Sequence, residues 1–151
     1  MHFDKYAPLL VSSDSLEFTF LTNGPKGEIE IVVQFNATDN PTIYNLAFGN
    51  LLPNGDVDDT IKNDNKDRNK VLATVGAAVY EFTSKYPKKM IFFTGSTPER
   101  TRLYRMALIN NFNLLDLDFE IFGVVVQVES YYVEKLLKGK DYFGFIVKRR
   151  I

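Results

Sequence analysis

The chain has 151 residues, 45% apolar and 25% charged, with 18 basic residues against 19 acidic ones and a formal net charge of −1. That length suits one ordinary domain, and near-neutrality leaves no long-range field to draw DNA, RNA or an anionic membrane. With no cysteine and His2 as the sole histidine, disulfides, thiol nucleophiles, iron–sulfur clusters, cysteine-based zinc sites and multi-histidine metal sites are excluded, and a Ser-His-Asp triad would need a better-placed imidazole.

The opening stretch, MHFDKYAPLLVSSD, lacks a basic segment followed by a long apolar run. No later apolar run approaches the roughly 20 residues of a membrane-spanning helix. The expectation is a cytoplasmic protein with no membrane contact. Leu16–Thr22 alternates Leu16, Phe18 and Phe20 against Glu17, Thr19 and Leu21, the pattern of a half-buried strand. After the turn residues Asn23 to Gly27, Ile29, Ile31, Val33 and Phe35 alternate with Glu28, Glu30, Gln34 and Asn36, which completes an antiparallel hairpin. Ile43–Phe48 follows Asp39-Asn40-Pro41 as a third strand.

Leu51–Asp67 reads as a polar loop. Its Asp56, Asp58, Asp59, Asp64 and Asp67 lack the register of a calcium-binding loop, so a solvated acidic loop is the better reading. A helix over Asp67–Tyr86 carries the stripe Val71, Leu72, Val75, Ala78, Val79 and Phe82 at 3.6-residue spacing, and Pro87 stops it. Met90–Thr94 is apolar throughout and reads as a central strand, then Pro98–Asn111 as a second helix. Phe119–Val128 and Tyr142–Lys148 are the last strands, with a short helix at Tyr131–Leu137 between them. Lys148-Arg149-Arg150 reads as charge protecting a terminal edge strand. The order β-β-β-α-β-α-β-β describes an α+β fold with a mixed, mainly antiparallel sheet and two main helices, in a single domain over residues 1–151.

One segment could carry chemistry. Thr94–Arg105 (TGSTPERTRLYR) joins a buried strand to a helix N-terminus, where free amides and the positive end of the dipole favour an anion. Gly95 permits close backbone approach, Ser96 and Thr97 offer hydroxyls, and Arg100, Arg102 and Arg105 add guanidinium groups suited to phosphate or carboxylate. At helical spacing Arg102 and Arg105 share a face and Arg100 lies off it. Ordinary capping explains the same residues: Thr97 as N-cap before Pro98, or a Ser96…Glu99 capping box. The spacing is neither that of a P-loop nor that of a dinucleotide fingerprint.

The stretches GPKGEIEIVVQF, YNLAFGN, KVLATVGAAVYEFTSKYP, TGSTPERTRLYRMAL and FIVKRR together resemble a family of small bacterial proteins of unknown function. The order of elements is also similar to the latter part of the GCN5-related N-acetyltransferase fold. That second resemblance implies a coenzyme A thioester as cofactor, bound near the Thr94 turn and the helix starting at Asp67. It also implies Tyr104, in Leu103-Tyr104, as the acid that protonates the departing thiolate. The sequence departs from that motif, with Thr97 and Arg100 at its Asn and Ala positions and no glycine in NKDRNK ahead of Val71.

Two functions therefore stand side by side. One is a degenerate acyltransferase-like fold acting as an interaction or regulatory module with a protein partner. The other is an acyl-coenzyme-A-dependent N-acyltransferase holding an anionic cofactor near Thr94–Arg105. Whether the chain is an enzyme stays open at this point. A metal is not expected, and nucleic-acid binding through the Arg100–Arg105 patch is a weaker third reading.

Overall fold

The computed structural model describes residues 10–24, 27–51, 57–58 and 68–150. It is α+β, with a mainly antiparallel sheet and, among the described residues, three helices. The chain forms two compact units that interleave in sequence: residues 1–36 with 46–86, and residues 37–45 with 87–151.

The first unit holds β1 (Leu10–Val11), β2 (Glu17–Gly24), nearly all of β3 (Gly27–Ala37) and, of β4 (Ile43–Leu51), residues 46–51; these strands follow one another across the sheet, and β5 (Val57–Asp58) pairs with the end of β4. β2 and β3 form the expected hairpin, with Phe18 opposite Val33 and Phe20 opposite Ile31. All four are buried, because the pleat sends alternate residues of both strands to one face. Helix α1 (Arg68–Lys85) adds Val71, Val75, Ala78 and Phe82 to this core, and the Phe82 ring stacks on Phe35 at 4.3 Å. Thr74 and Thr83 are buried beside them, with their hydroxyls donating to the Lys70 and Val79 carbonyls, which removes the cost of an unmet donor. The end of α1 is fastened by the Tyr86 hydroxyl, which donates to the Asp14 carbonyl at 2.7 Å. The Asp14 carboxylate accepts from the Ser12 hydroxyl and the Leu16 amide, which holds it below the usual carboxylate range. Asp67 and most of the polar loop lie outside the described residues, while Val57–Asp58 within it is a strand.

In the second unit the strand order is β4-β6-β9-β7-β8, where β6 is Met90–Phe93, β7 Phe119–Gln127, β8 Ser130–Lys135 and β9 Gly144–Arg149. β6 lies parallel to the first residues of β4, from Ile43 opposite Met90 to Asn45 opposite Phe92, and the other pairs are antiparallel. Helix α2 (Pro98–Asn110) is followed by a second short helix, α3 (Phe112–Asp118), that the chain pattern does not announce. Ile91, Phe119, Ile121, Phe145 and Val147 form the core.

Two expectations are corrected here. Tyr131–Leu137 is not a helix, because Ser130–Lys135 is β8, paired residue for residue with β7 from Gln127–Ser130 to Phe122–Lys135. Its Tyr-Tyr-Val run favours extended backbone, and the hairpin turn is closed by Glu129 in the left-handed region at φ 61°. β9 is likewise not an edge strand, since β6 and β7 flank it. Arg149 and Arg150 instead have partners on the segment that leads into β7. Arg149 lies over the Phe119 ring at 5.9 Å, and the Arg150 guanidinium meets the Asp116 carboxylate at 2.6 Å and its carbonyl at 2.7 Å.

Candidate functional site

β6 ends at Phe93, and the next residues set one wall of a cleft in the second unit. The Thr94 hydroxyl donates to the Phe143 carbonyl at 2.5 Å, tying this wall to the segment that leads into β9. Gly95 then lies flat against the first turn of α2. A Cβ there would come within 2.5 Å of the Thr101 nitrogen and 2.7 Å of the Arg100 Cβ, so only glycine fits. Its amide donates to the Thr101 hydroxyl at 3.0 Å, which in turn donates to the Thr97 carbonyl. Thr97 is the N-cap in extended backbone, its hydroxyl accepting from the Arg100 amide at 3.2 Å, and Pro98 opens the helix. Of the two capping arrangements open to the sequence, the Thr97–Pro98 one forms.

The opposite wall is Asp141, Tyr142 and Phe143, with Phe145 behind. Tyr142 is buried because Gly123 on β7 leaves room for its ring; a Cβ at Gly123 would sit 2.3 Å from that ring. Its phenol oxygen accepts from the Leu137 amide at 3.1 Å, and burial raises its pKa above the ordinary phenol value. Phe145 is fully buried, edge-on to Tyr142 at 6.1 Å and tilted against Phe93 at 5.5 Å. Phe143 is half exposed and stacks on Phe92 at 6.4 Å. Beside this wall Lys140 hydrogen-bonds to the Glu134 carboxylate, which raises its pKa, and its ammonium lies 5.6 Å from the Tyr142 ring.

Between the walls is a cleft of about 380 Å³. Arg105 spans it, its guanidinium 2.9 Å from the Asp141 carboxylate; Arg105 is 19% exposed and Asp141 81%. Arg102 is exposed on the lip and makes no ion pair among the described residues. The predicted site residues thus divide. Gly95, Ser96, Thr97, Arg102 and Arg105 all line the cleft, whereas Arg100 and Tyr104 do not. Tyr104 is half-buried, with its ring edge-on to Phe93 at 6.0 Å. The Gly95 and Arg100 amides are both taken by threonine hydroxyls, so neither is open to a ligand.

Sequence reasoning missed the whole Asp141–Phe145 wall. The signal available was Asp-Tyr-Phe-Gly-Phe, a dense aromatic run broken by glycine just where the last strand begins. Among the described residues no group of three histidine, cysteine, aspartate or glutamate side chains could hold a metal ion. No described helix is long and apolar enough to cross a membrane. Comparison with curated proteins and with solved structures finds no match. A family profile matches residues 2–150, and the chain belongs to that family, described as a family of unknown function (DUF6934).

Proposed function

We propose that the protein is an interaction or regulatory module that takes a small organic anion in the cleft beside Thr94–Arg105. The observation that carries this reading is the difference between the two arginines. Arg105 is neutralised by Asp141, whereas Arg102 stands on the lip of the same cleft with no acid paired to it among the described residues. A guanidinium beside the hydroxyls of Ser96 and Thr97 suits a carboxylate or phosphate, which it can hold bidentately. The exposed Phe143 face suits an apolar or aromatic body on the same ligand. The lining has no imidazole or thiol, and its one carboxylate is paired with Arg105. Binding is the chemistry that such a set of groups serves.

A ligand held only by the native state raises its melting temperature, by the equivalent of about 2.7 kcal/mol at a hundredfold excess over Kd. Phenyl phosphate and benzoate, which join an anion to an aromatic ring, should therefore give a saturable rise. Arg102→Ala should weaken their binding by about tenfold or more, the loss of a charge-assisted hydrogen-bonded pair. An unchanged melting temperature with both probes, or undiminished affinity in Arg102→Ala, overturns the proposal.

A second reading, an N-acyltransferase using a coenzyme A thioester, rests on the resemblance of the element order alone, since the parallel pairing of β4 with β6 takes in three of the four β6 residues. Against it, Tyr104 packs on Phe93 away from the cleft. Titration with acetyl-coenzyme A is the discriminating experiment, and no thermal shift at saturation removes this reading.

A further inference from the structure

The Arg105–Asp141 ion pair in the cleft is unequal. The Arg105 side chain is largely buried, whereas that of Asp141 is exposed. Water competes for the carboxylate far more than for the guanidinium, and a pair with one partner in solvent opens at little cost. It opens on the Asp141 side. The backbone there is anchored, since the Phe143 amide donates to the Val124 carbonyl at 2.9 Å and the Tyr142 ring is buried against Gly123. Rotation of the Asp141 side chain alone takes its carboxylate into water, while Arg105 stays at the cleft.

Arg102 and Arg105 lie three residues apart on α2, and both line the cleft. Residues at that spacing are neighbours on one helix face, with Cβ atoms about 5–6 Å apart. An anion held between them meets two guanidinium forks. A carboxylate has two oxygens in one plane, which a single fork fills. A phosphate monoester has three terminal oxygens and carries about two negative charges near neutral pH. It can therefore serve both arginines at once. Asp141 is the one acid among the described residues that line the cleft, and its carboxylate stands where an oxygen of such a ligand would meet Arg105.

We infer that the ligand of this cleft is a dianionic phosphate monoester, held by Arg102 and Arg105 together, which displaces the Asp141 carboxylate from Arg105. The inference rests on the anion-site reading above and names its substrate class. Asp141 is then a built-in competitor. It keeps the Arg105 guanidinium paired while the cleft is empty, and it discriminates against singly charged anions. A monoanion offers Arg105 no more than Asp141 already does, so it gains Arg102 alone.

Calorimetric titration of the full chain with phenyl phosphate tests this. Asp141→Asn removes the competitor from an exposed position and should tighten binding about two- to fivefold, the weight of an ion pair with one partner in solvent. Arg105→Gln combined with Asp141→Asn replaces one neutral pair by another. It should weaken binding about tenfold relative to wild type, because a charge-assisted contact is lost. If Arg102 were the whole site, this double variant would bind as wild type does, which overturns the inference. Phenyl sulfate, of similar shape but with one charge, should bind wild type more weakly than phenyl phosphate. Circular dichroism establishes which variants are folded, and the Asp141→Asn and phenyl sulfate arms decide the matter without the double variant. Unchanged affinity in Asp141→Asn, or equal affinity for the two esters, overturns the inference and leaves the anion site standing. Absence of phenyl phosphate binding in both wild type and Asp141→Asn overturns the two together.

Discussion

A single pair, Gly123 and Tyr142, governs one wall of the cleft. The Tyr142 ring occupies the space that any side chain at 123 would need, approaching to 2.3 Å of a Cβ built there. Gly123→Ala should therefore destabilise the protein by about 1–3 kcal/mol in denaturant unfolding, the range for overpacked cores. Tyr142→Ala should absorb most of that penalty when the two changes are combined, because contacting residues couple. The same tyrosine bears on pH. Burial raises its phenol, and hydrogen bonding to Glu134 raises Lys140. Both folded-state values then exceed the unfolded ones, near 10 for each group. Their contributions are complete below that range and are lost as pH climbs through the raised values. Stability should thus fall on the alkaline side, and Tyr142→Phe should make that fall shallower.

At the level of elements, α2 depends on its cap. Thr97→Ala removes the hydroxyl that accepts from the Arg100 amide, and unfolding measurements should register a loss of about 1 kcal/mol. This cap was legible in the sequence, as were the β2–β3 hairpin and α1, because each rests on neighbours within a few residues. Phe18, Phe20, Ile31 and Val33 announce their shared face by simple alternation. The cleft wall from Gly95 to Arg105 was legible for the same local reason. The opposite wall was not, since Thr94 and Phe143 are 49 residues apart and their hydrogen bond leaves no periodic trace. β8 was misread although its Tyr131-Tyr132-Val133 run favours extended backbone, because the run shows no apolar–polar alternation and its pairing with β7 is what fixes it as a strand. β9 was misplaced at an edge because strand order depends on pairings that the order of elements alone does not settle. The buried run Gly144 to Val147 is what a strand flanked on both sides requires.

For the molecule as a whole, the interleaving of its two units has a practical result. The second unit draws the first residues of β4, Ile43 to Asn45, from a segment far ahead of the rest of it. A fragment covering residues 87–151 would carry β6 with one long side unpaired and Ile91 uncovered there. That fragment should fail to give a cooperative unfolding transition on its own. A circular dichroism melt that stays sigmoidal and native-like would show the prediction to be wrong. Proteolytic nicking should accordingly inactivate the chain as a unit rather than release a stable half.

Gly95 also limits how this cleft could have diversified. A Cβ at position 95 would come within 2.5 Å of the first turn of α2, so the position is closed to all other residues, while Ser96 next to it is exposed and lines the cleft. Evolution acting on this protein can change what the cleft recognises through Ser96 and Arg102 without disturbing the helix they stand beside. Diverged relatives would be expected to keep an invariant glycine next to a freely varying neighbour, the two being separated by one peptide bond.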